Sequence, residues 1–193
     1  MFKASAQVWL SDNSWQQASD GNITIFTVNP DDTFYLPELF RMVQEAQKEL
    51  EFRQISPAKP LELSLPEQIH IIVHPNLASF QQATAMPWYI AAIARKSQEA
   101  AGEIHLQRLR VLMNRHRLKQ SLRHELFHLA QPDSLRRYQA EALAMRFAGE
   151  VPKVEAFIGL SEDRLDALLA APSSADELEK ALATAYRRFL EGP

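Results

Sequence analysis

Strand-like segments crowd into the first half of this chain, and helical patterns dominate its second half. Short β-branched, apolar or alternating stretches predict strands at 7–10, 23–28, 69–73 and 103–107. One-sided apolar spacing predicts helices at 37–50, 77–84, 118–129, 135–148, 161–170 and 176–190. The segment 89–94 fits either a strand or a buried helix. This segregation predicts an α+β fold, with a single domain over 1–193 and a helical C-terminal segment at 161–191.

The composition limits the chemistry that the chain can use. It contains no cysteine, which excludes disulfides, thiolate zinc sites, iron–sulfur clusters and a cysteine nucleophile. Any metal must therefore be held by histidines and carboxylates. The formal net charge is −3, and no apolar run is long enough to cross a bilayer, so we expect no membrane association. The N-terminus lacks a signal-peptide core, which predicts a cytoplasmic location.

The most informative motif is His-Glu-Leu-Phe-His at positions 124–128, an H-E-x-x-H pattern on a predicted helix. Four residues of helix place His124 and His128 one above the other on one face, so both imidazoles reach one ion. Glu125 lies beside that face, where it can accept a proton from a water molecule. The apolar stripe of the same helix points away from the histidines, and it consists of Leu118, Leu122, Leu126 and Leu129.

A catalytic site of this kind takes a third protein ligand and leaves one position for water. No histidine follows His128, so the third ligand is either a downstream carboxylate or an upstream residue. The downstream candidates are Asp133, Glu141, Glu150 and Glu155. Glu141 is favoured, because a turn at Pro132 would fold its helix back against the first, and the alanines around it allow close approach.

These segments resemble the gluzincin metallopeptidases, in particular their small peptidase MA-like or minigluzincin members. The resemblance is sharp in His124–His128 and in the Tyr-Gln-Ala-Glu-Ala-Leu-Ala stretch at 138–144. The order of elements also matches from about residue 23 to residue 149. The family often has glycine where Ala142 stands and serine where Ala140 stands.

The resemblance implies a zincin-like fold: an N-terminal mixed sheet with helices, an active-site helix, a glutamate helix and a helical C-terminus. It also implies one zinc ion bound by His124, His128 and Glu141, with Glu125 as the general base. The strand at Ile104, His105 and Leu106 would be an edge that pairs with an extended peptide substrate. A tyrosine that steadies the oxyanion would be Tyr138 or Tyr186, although buried packing explains both more simply.

Other polar clusters give weaker signals. His70 and His74 lie on one predicted strand about 13 Å apart, which is too far to share an ion, and His105 has no partner at ligand spacing. The basic residues at 108–123 are better explained as a solvated face than as a nucleic-acid surface, because no aromatic residue interleaves them.

The sequence therefore predicts a zinc metallopeptidase that acts on a peptide or protein. The alternative is a zincin-fold protein that has little or no catalytic activity and serves as a binding or regulatory module. The helical C-terminus adds the possibility of self-inhibition by covering the cleft. A mononuclear iron oxygenase also uses two histidines and a carboxylate, but a base placed beside the ligands on one helix favours hydrolysis.

Overall fold

The computed structural model describes residues 15–52, 61–96 and 101–191, and within them the fold is α+β. The predicted strand at 7–10 lies outside these ranges. The five strands are β1 (Gln16–Asp20), β2 (Ile23–Thr27), β3 (Gln68–Val73), β4 (Ala92–Lys96) and β5 (Ala101–Leu106). The seven helices are α1 (Leu36–Phe52), α2 (Leu77–Thr84), α3 (Leu109–Asn114), α4 (Leu118–Ala130), α5 (Arg137–Ala148), α6 (Glu162–Ala170) and α7 (Ala175–Tyr186). A 3₁₀ turn (Pro30–Tyr35) precedes α1, and a π-helical turn (Arg187–Glu191) follows α7.

The strands form one mixed sheet in the order β1-β2-β3-β5-β4. The three central strands β2, β3 and β5 run parallel, and both outer strands pair antiparallel with their neighbours. β5 therefore has hydrogen-bonded neighbours on both sides, and β4 forms the edge. The prediction that Ile104, His105 and Leu106 form an edge strand is wrong, because β4 pairs with β5 on the side opposite β3.

Helix α4 packs its leucine stripe into the main core. Leu118, Leu122, Leu126 and Leu129 are at most 2% exposed, as the apolar spacing predicted. They share this core with alternate residues of the central strands, such as Ile71 and Ile104. The stripe fixes the rotation of α4, and with it the direction in which the histidine face points.

The C-terminal helices build a second apolar cluster on the other side of α5. Leu165 from α6 and Ala181 from α7 are fully buried there, against Ala142 of α5. Phe189 and Leu190 contact both this cluster and the main core. Helix α5 is thus covered on two sides, which explains why its apolar residues follow no single stripe. In the part of the chain that is described, no helix is both long and apolar enough to span a membrane.

Two elements escaped prediction. β1 reads Gln-Gln-Ala-Ser-Asp and is largely exposed, so it has no alternating apolar face to signal a strand. α3 is only six residues long and buries Leu109 and Leu112 between basic residues. Both elements are held by their neighbours in the fold, and their own sequence carries little information about them.

Candidate metal centre

The two helices of the motif bring three side chains together. His124 and His128 project from α4, and Glu141 projects from α5, which packs against α4. One ligand atom from each of the three lies within 4.8 Å of the others. The Glu141 Oε2 atom is 3.2 Å from His124 Nε2 and 3.6 Å from His128 Nε2. Among the described residues, this is the only such group of three.

Both histidines turn Nε2 toward Glu141. Their Nδ1 atoms have separate partners. His124 Nδ1 lies 3.2 Å from Glu150 Oε2, just beyond the end of α5. His128 Nδ1 lies 3.1 Å from Gln131 Oε1, at the end of α4. An N–H at each Nδ1 leaves Nε2 with a free lone pair, which is the form that binds a metal ion.

Glu125 points toward the edge strand. Its Oε2 atom accepts a hydrogen bond of 2.7 Å from the backbone N–H of Ala94 on β4. This N–H points away from β5, so the carboxylate lies along the free edge of the sheet, next to the two histidines. The predicted base is thus placed between the histidines and the strand that borders them.

The ionisation of these groups is strongly coupled. Burial raises the pKa of Glu125, and the neighbouring histidines oppose this only in part. For Glu141, burial also favours the neutral acid, but His128 and His124 outweigh it and hold the pKa of that carboxyl below its usual range. Burial alone would lower the pKa of His124, whereas its hydrogen bonds with Glu141 and Glu150 raise it. The pKa of each of these groups therefore depends on the charges of its neighbours as well as on its burial.

Arg123 secures α4 next to the first histidine. Its guanidinium donates to both carboxylate oxygens of Glu49 on α1, at 3.0 and 2.8 Å, and to the carbonyl of Phe147 at the end of α5. One side chain thus links three helices around the site. Its role is to fix α4 against α5, which sets the distance between the histidines and Glu141.

The other carboxylates that the sequence offered as third ligands lie elsewhere. Asp133 is exposed and pairs with Lys96 at 2.8 Å. Glu155 is exposed in the loop after α5. Glu150 does approach His124, but at Nδ1, on the side of the ring opposite Glu141. Of the four candidates, Glu141 alone meets both histidines.

Neither predicted oxyanion tyrosine is brought to this group. Tyr138 packs in the second apolar cluster, where its ring meets Phe189 edge-on, and its hydroxyl lies beside Gln139. Tyr186 ends α7 half-buried. Among the contacts of the described residues, none joins either tyrosine to His124, His128 or Glu141. Ile104, His105 and Leu106 lie inside the sheet and do not line its free edge.

Sequence reasoning missed three groups that hold the site: Glu150 as a partner of His124, Gln131 as a partner of His128, and the Ala94 N–H. Gln131 lies three residues after His128, a helical spacing that could have suggested the contact. The other two depend on how the chain folds back on itself. The chain matches no family model and no curated protein sequence.

Proposed function

We propose that this chain is a zinc-dependent peptidase with a zincin-like fold of the gluzincin type. The observation that carries the proposal is that ligand atoms of His124, His128 and Glu141 lie within 4.8 Å of one another. Glu125 lies beside them, on the helix that carries the two histidines. The order of mixed sheet, histidine helix and glutamate helix supports the same family.

The residues fit a catalytic zinc ion in number and kind. Two imidazole nitrogens and one carboxylate oxygen are a ligand set that zinc prefers, and three protein ligands leave a position for water. The Nδ1 partners Glu150 and Gln131 support Nε2 ligation by both histidines. Before an ion enters, the carboxylate of Glu141, whose pKa is lowered, and the ring of His124, whose pKa is raised, attract each other.

When bound, zinc supplies a Lewis acid that lowers the pKa of water and polarises a peptide carbonyl. Glu125 accepts the proton of the attacking water at its carboxylate and delivers it to the leaving amine nitrogen. Burial raises the pKa of Glu125, so its carboxylate accepts a proton more readily than that of an exposed glutamate. The Ala94 N–H orients the carboxylate during both transfers.

We assign peptide binding to β4 in place of β5. β4 is the free edge of the sheet nearest to α4, and Ala94 ties it directly to Glu125. Lys96 anchors the far end of the strand, since its Nζ donates to the carbonyl of Gln131 and to Asp133. An extended peptide that pairs with β4 would run past the base and the metal ligands.

Metal analysis of the purified protein tests the ligand set. The parent should bind one equivalent of zinc, and Glu141→Gln should bind zinc far more weakly while retaining its circular dichroism spectrum. The matched control is Glu155→Gln, an exposed glutamate that contacts none of the ligands and should leave zinc binding unchanged. Equal zinc affinity in the parent and in Glu141→Gln would remove Glu141 from the site.

Catalysis is tested with a peptide library and mass-spectrometric detection of new termini. Glu125→Gln should keep its zinc and lose cleavage by at least about a hundredfold, because an amide cannot accept the proton. Full activity in this variant would refute the mechanism. Zinc binding without any cleavage by the parent would favour the alternative, a binding module on the same fold. The absence of a tyrosine contact to the metal group is consistent with that alternative.

A further inference from the structure

A second group of polar side chains lies on the face of the sheet opposite α4. Ile71 and Val73 of β3 face the main core, and His74, the next residue along the chain, points to the other face. His105 of β5 points there as well. His74 is 1% exposed and His105 is 3% exposed, so two ionisable rings are buried outside the metal centre.

Four side chains form a continuous hydrogen-bonded line across this face. Ser79 Oγ on α2 lies 3.0 Å from His74 Nδ1, and His74 Nε2 lies 3.0 Å from His105 Nδ1. The line ends where His105 Nε2 lies 3.4 Å from Glu103 Oε2. It connects helix α2 to strand β5 through two nearly parallel imidazoles, whose centroids are 5.3 Å apart and whose planes differ by 17°.

The line can be fully hydrogen-bonded in two ways that differ by one proton. In the first, Ser79 donates to His74, neutral His74 donates to neutral His105, and His105 donates to the Glu103 carboxylate. In the second, His105 carries an additional proton and donates at both nitrogens, so that His74 donates to Ser79 instead. A further proton on His74 would set two N–H groups against each other and break the contact between the rings.

We propose that this line is a proton-linked latch: it holds α2 on the sheet while it carries no proton or one proton, and it releases α2 in acid when both histidines are charged. The geometry supports this because the two rings share a single 3.0 Å contact that needs one donor and one acceptor. Two imidazolium rings cannot satisfy it.

The charges around the line also oppose a second proton. Arg95 of β4 is paired in register with Glu103, and its guanidinium donates to the carbonyls of Ala83 and Thr84 at the end of α2. His70 of β3 is paired in register with Glu103 from the other side. Helix α2 itself contributes no ionisable side chain. Within the described part of the chain, Glu103 is therefore the only anion in contact with the line, and it can offset one added charge but not two.

Helix α2 is attached to the sheet by the latch and by contacts outside it. Its other contacts with the sheet face include the Phe80 ring, which meets the His74 ring edge-on at 5.6 Å, and the Arg95 hydrogen bonds. Breaking the histidine contact would displace the ring against which Phe80 packs. Burial, together with His105 and Arg95, lowers the pKa of His74 to about 4, so the latch is closed at neutral pH.

The test combines imidazole NMR with amide hydrogen exchange on the full chain, from about pH 8 to about pH 4. The first proton should move the His74 hydrogen from Nε2 to Nδ1 without a change in α2 exchange. The second should raise α2 exchange at least about tenfold more than it raises the exchange of α4, after correction for intrinsic rates. A chelator keeps the metal centre in one state throughout.

Two variants and one control make the result decisive. His105→Gln removes one ionisable ring and should abolish the acid-dependent exchange of α2, whereas His116→Asn, at an exposed histidine outside the line, should behave as the parent. If His105→Gln does not fold, Ser79→Ala replaces it and should raise α2 exchange already at neutral pH. An unchanged His74 tautomer, or acid-dependent exchange that is equal in the parent and in the folded line variant, would overturn the proposal.

Discussion

Glu150 is placed to control which nitrogen His124 presents to the proposed zinc ion. Its Oε2 atom lies 3.2 Å from His124 Nδ1, while Glu141 lies at Nε2 on the other side of the ring. A carboxylate at Nδ1 fixes the tautomer and makes the metal-binding nitrogen more basic. It also fixes the orientation of the ring, which a histidine on a helix surface would otherwise not have.

Glu150→Gln should therefore weaken zinc binding by about 10- to 100-fold without removing a ligand. The amide accepts a hydrogen bond at Nδ1 but lacks the charge that increases the basicity of the ring. Competition with a chromophoric chelator at neutral pH measures the affinity, and Glu155→Gln provides an exposed glutamate of the same loop as the control. Unchanged affinity in Glu150→Gln would show that Gln131 and the helix geometry suffice to orient the ligands.

At the scale of single residues, the sequence predicted the part of the site that depends on helical spacing. Four residues of helix determine that His124 and His128 share a face, whatever the rest of the fold does. Glu141 needed a further inference, that the turn at Pro132 folds α5 back onto α4. Glu150 and the Ala94 N–H were out of reach, since their contacts join elements whose relative positions no local pattern encodes.

At the scale of elements, Gly102 lies where helix α4 packs closely against strand β5. A Cβ atom at this position would lie 2.8 Å from Leu129 Cδ1 of α4 and 2.7 Å from Pro66 Cγ. Leu129 is 1% exposed and fixed by the core around it. The glycine thus lets α4 lie directly on β5, and its role is steric, not one of backbone conformation.

Gly102→Ala should destabilise the protein by about 1–3 kcal/mol, because an extra methyl group in a packed core forces neighbouring side chains to move. Urea unfolding followed by circular dichroism measures this free energy. The control is the same substitution in a Leu129→Ala background, where the space is open on the α4 side and the cost should be clearly smaller. Equal costs in both backgrounds would place the clash at Pro66 alone.

Strand and helix positions followed largely from apolar periodicity, but the order of strands in the sheet did not. β4 was ambiguous because its segment is a short apolar run. β5 was expected at the edge because the family that the sequence resembles would use this strand to pair with a peptide. Pairing order depends on which faces the helices cover. In the folded protein, the α4 stripe and Gly102 of β5 allow α4 to pack closely on the sheet, and a contact between two elements is not visible in the local pattern of either one.

At the scale of the whole molecule, the C-terminal helices belong to the packed interior. Ala181 and Ala185 of α7 are fully buried, and they pack in the same cluster as Ala142 of α5, the neighbour of Glu141. The tyrosine hydroxyl of Tyr89 also donates to the carbonyl of Pro172 in the turn before α7. The segment therefore supports the glutamate helix from behind.

Deletion from Pro172 onward should consequently unfold the protein rather than activate it. The truncation would expose the apolar side of α5 and remove the contacts of Phe189 and Leu190 with both clusters. Circular dichroism and thermal unfolding of the truncated chain measure the effect, with deletion of residues 192–193 alone as the control. A folded truncated chain with higher peptidase activity would instead support self-inhibition by this segment.

At the scale of the whole molecule, the free energy of unfolding should also fall in acid. The cause is His74, which is buried on the face of the sheet opposite α4. Burial lowers the folded-state pKa of His74 to about 4, from an unfolded value of 6.5. The unfolded chain thus takes up this proton first, so the stabilisation is fully present above about pH 6.5 and is lost as the pH falls toward 4. A pKa difference of this size corresponds to about 3 kcal/mol in the free energy of unfolding.

This contribution is isolated by comparing the parent with His74→Gln at each pH. Glutamine removes the titration, so the parent should be more stable than the variant near neutral pH, and the difference should shrink by up to about 3 kcal/mol between pH 6.5 and pH 4. Urea unfolding in the presence of a chelator provides the free energies, and the contributions of the metal centre cancel because both chains share it. A difference that stays constant over this range would mean that His74 titrates alike in the folded and unfolded chains. The burial of the ring would then not control its charge.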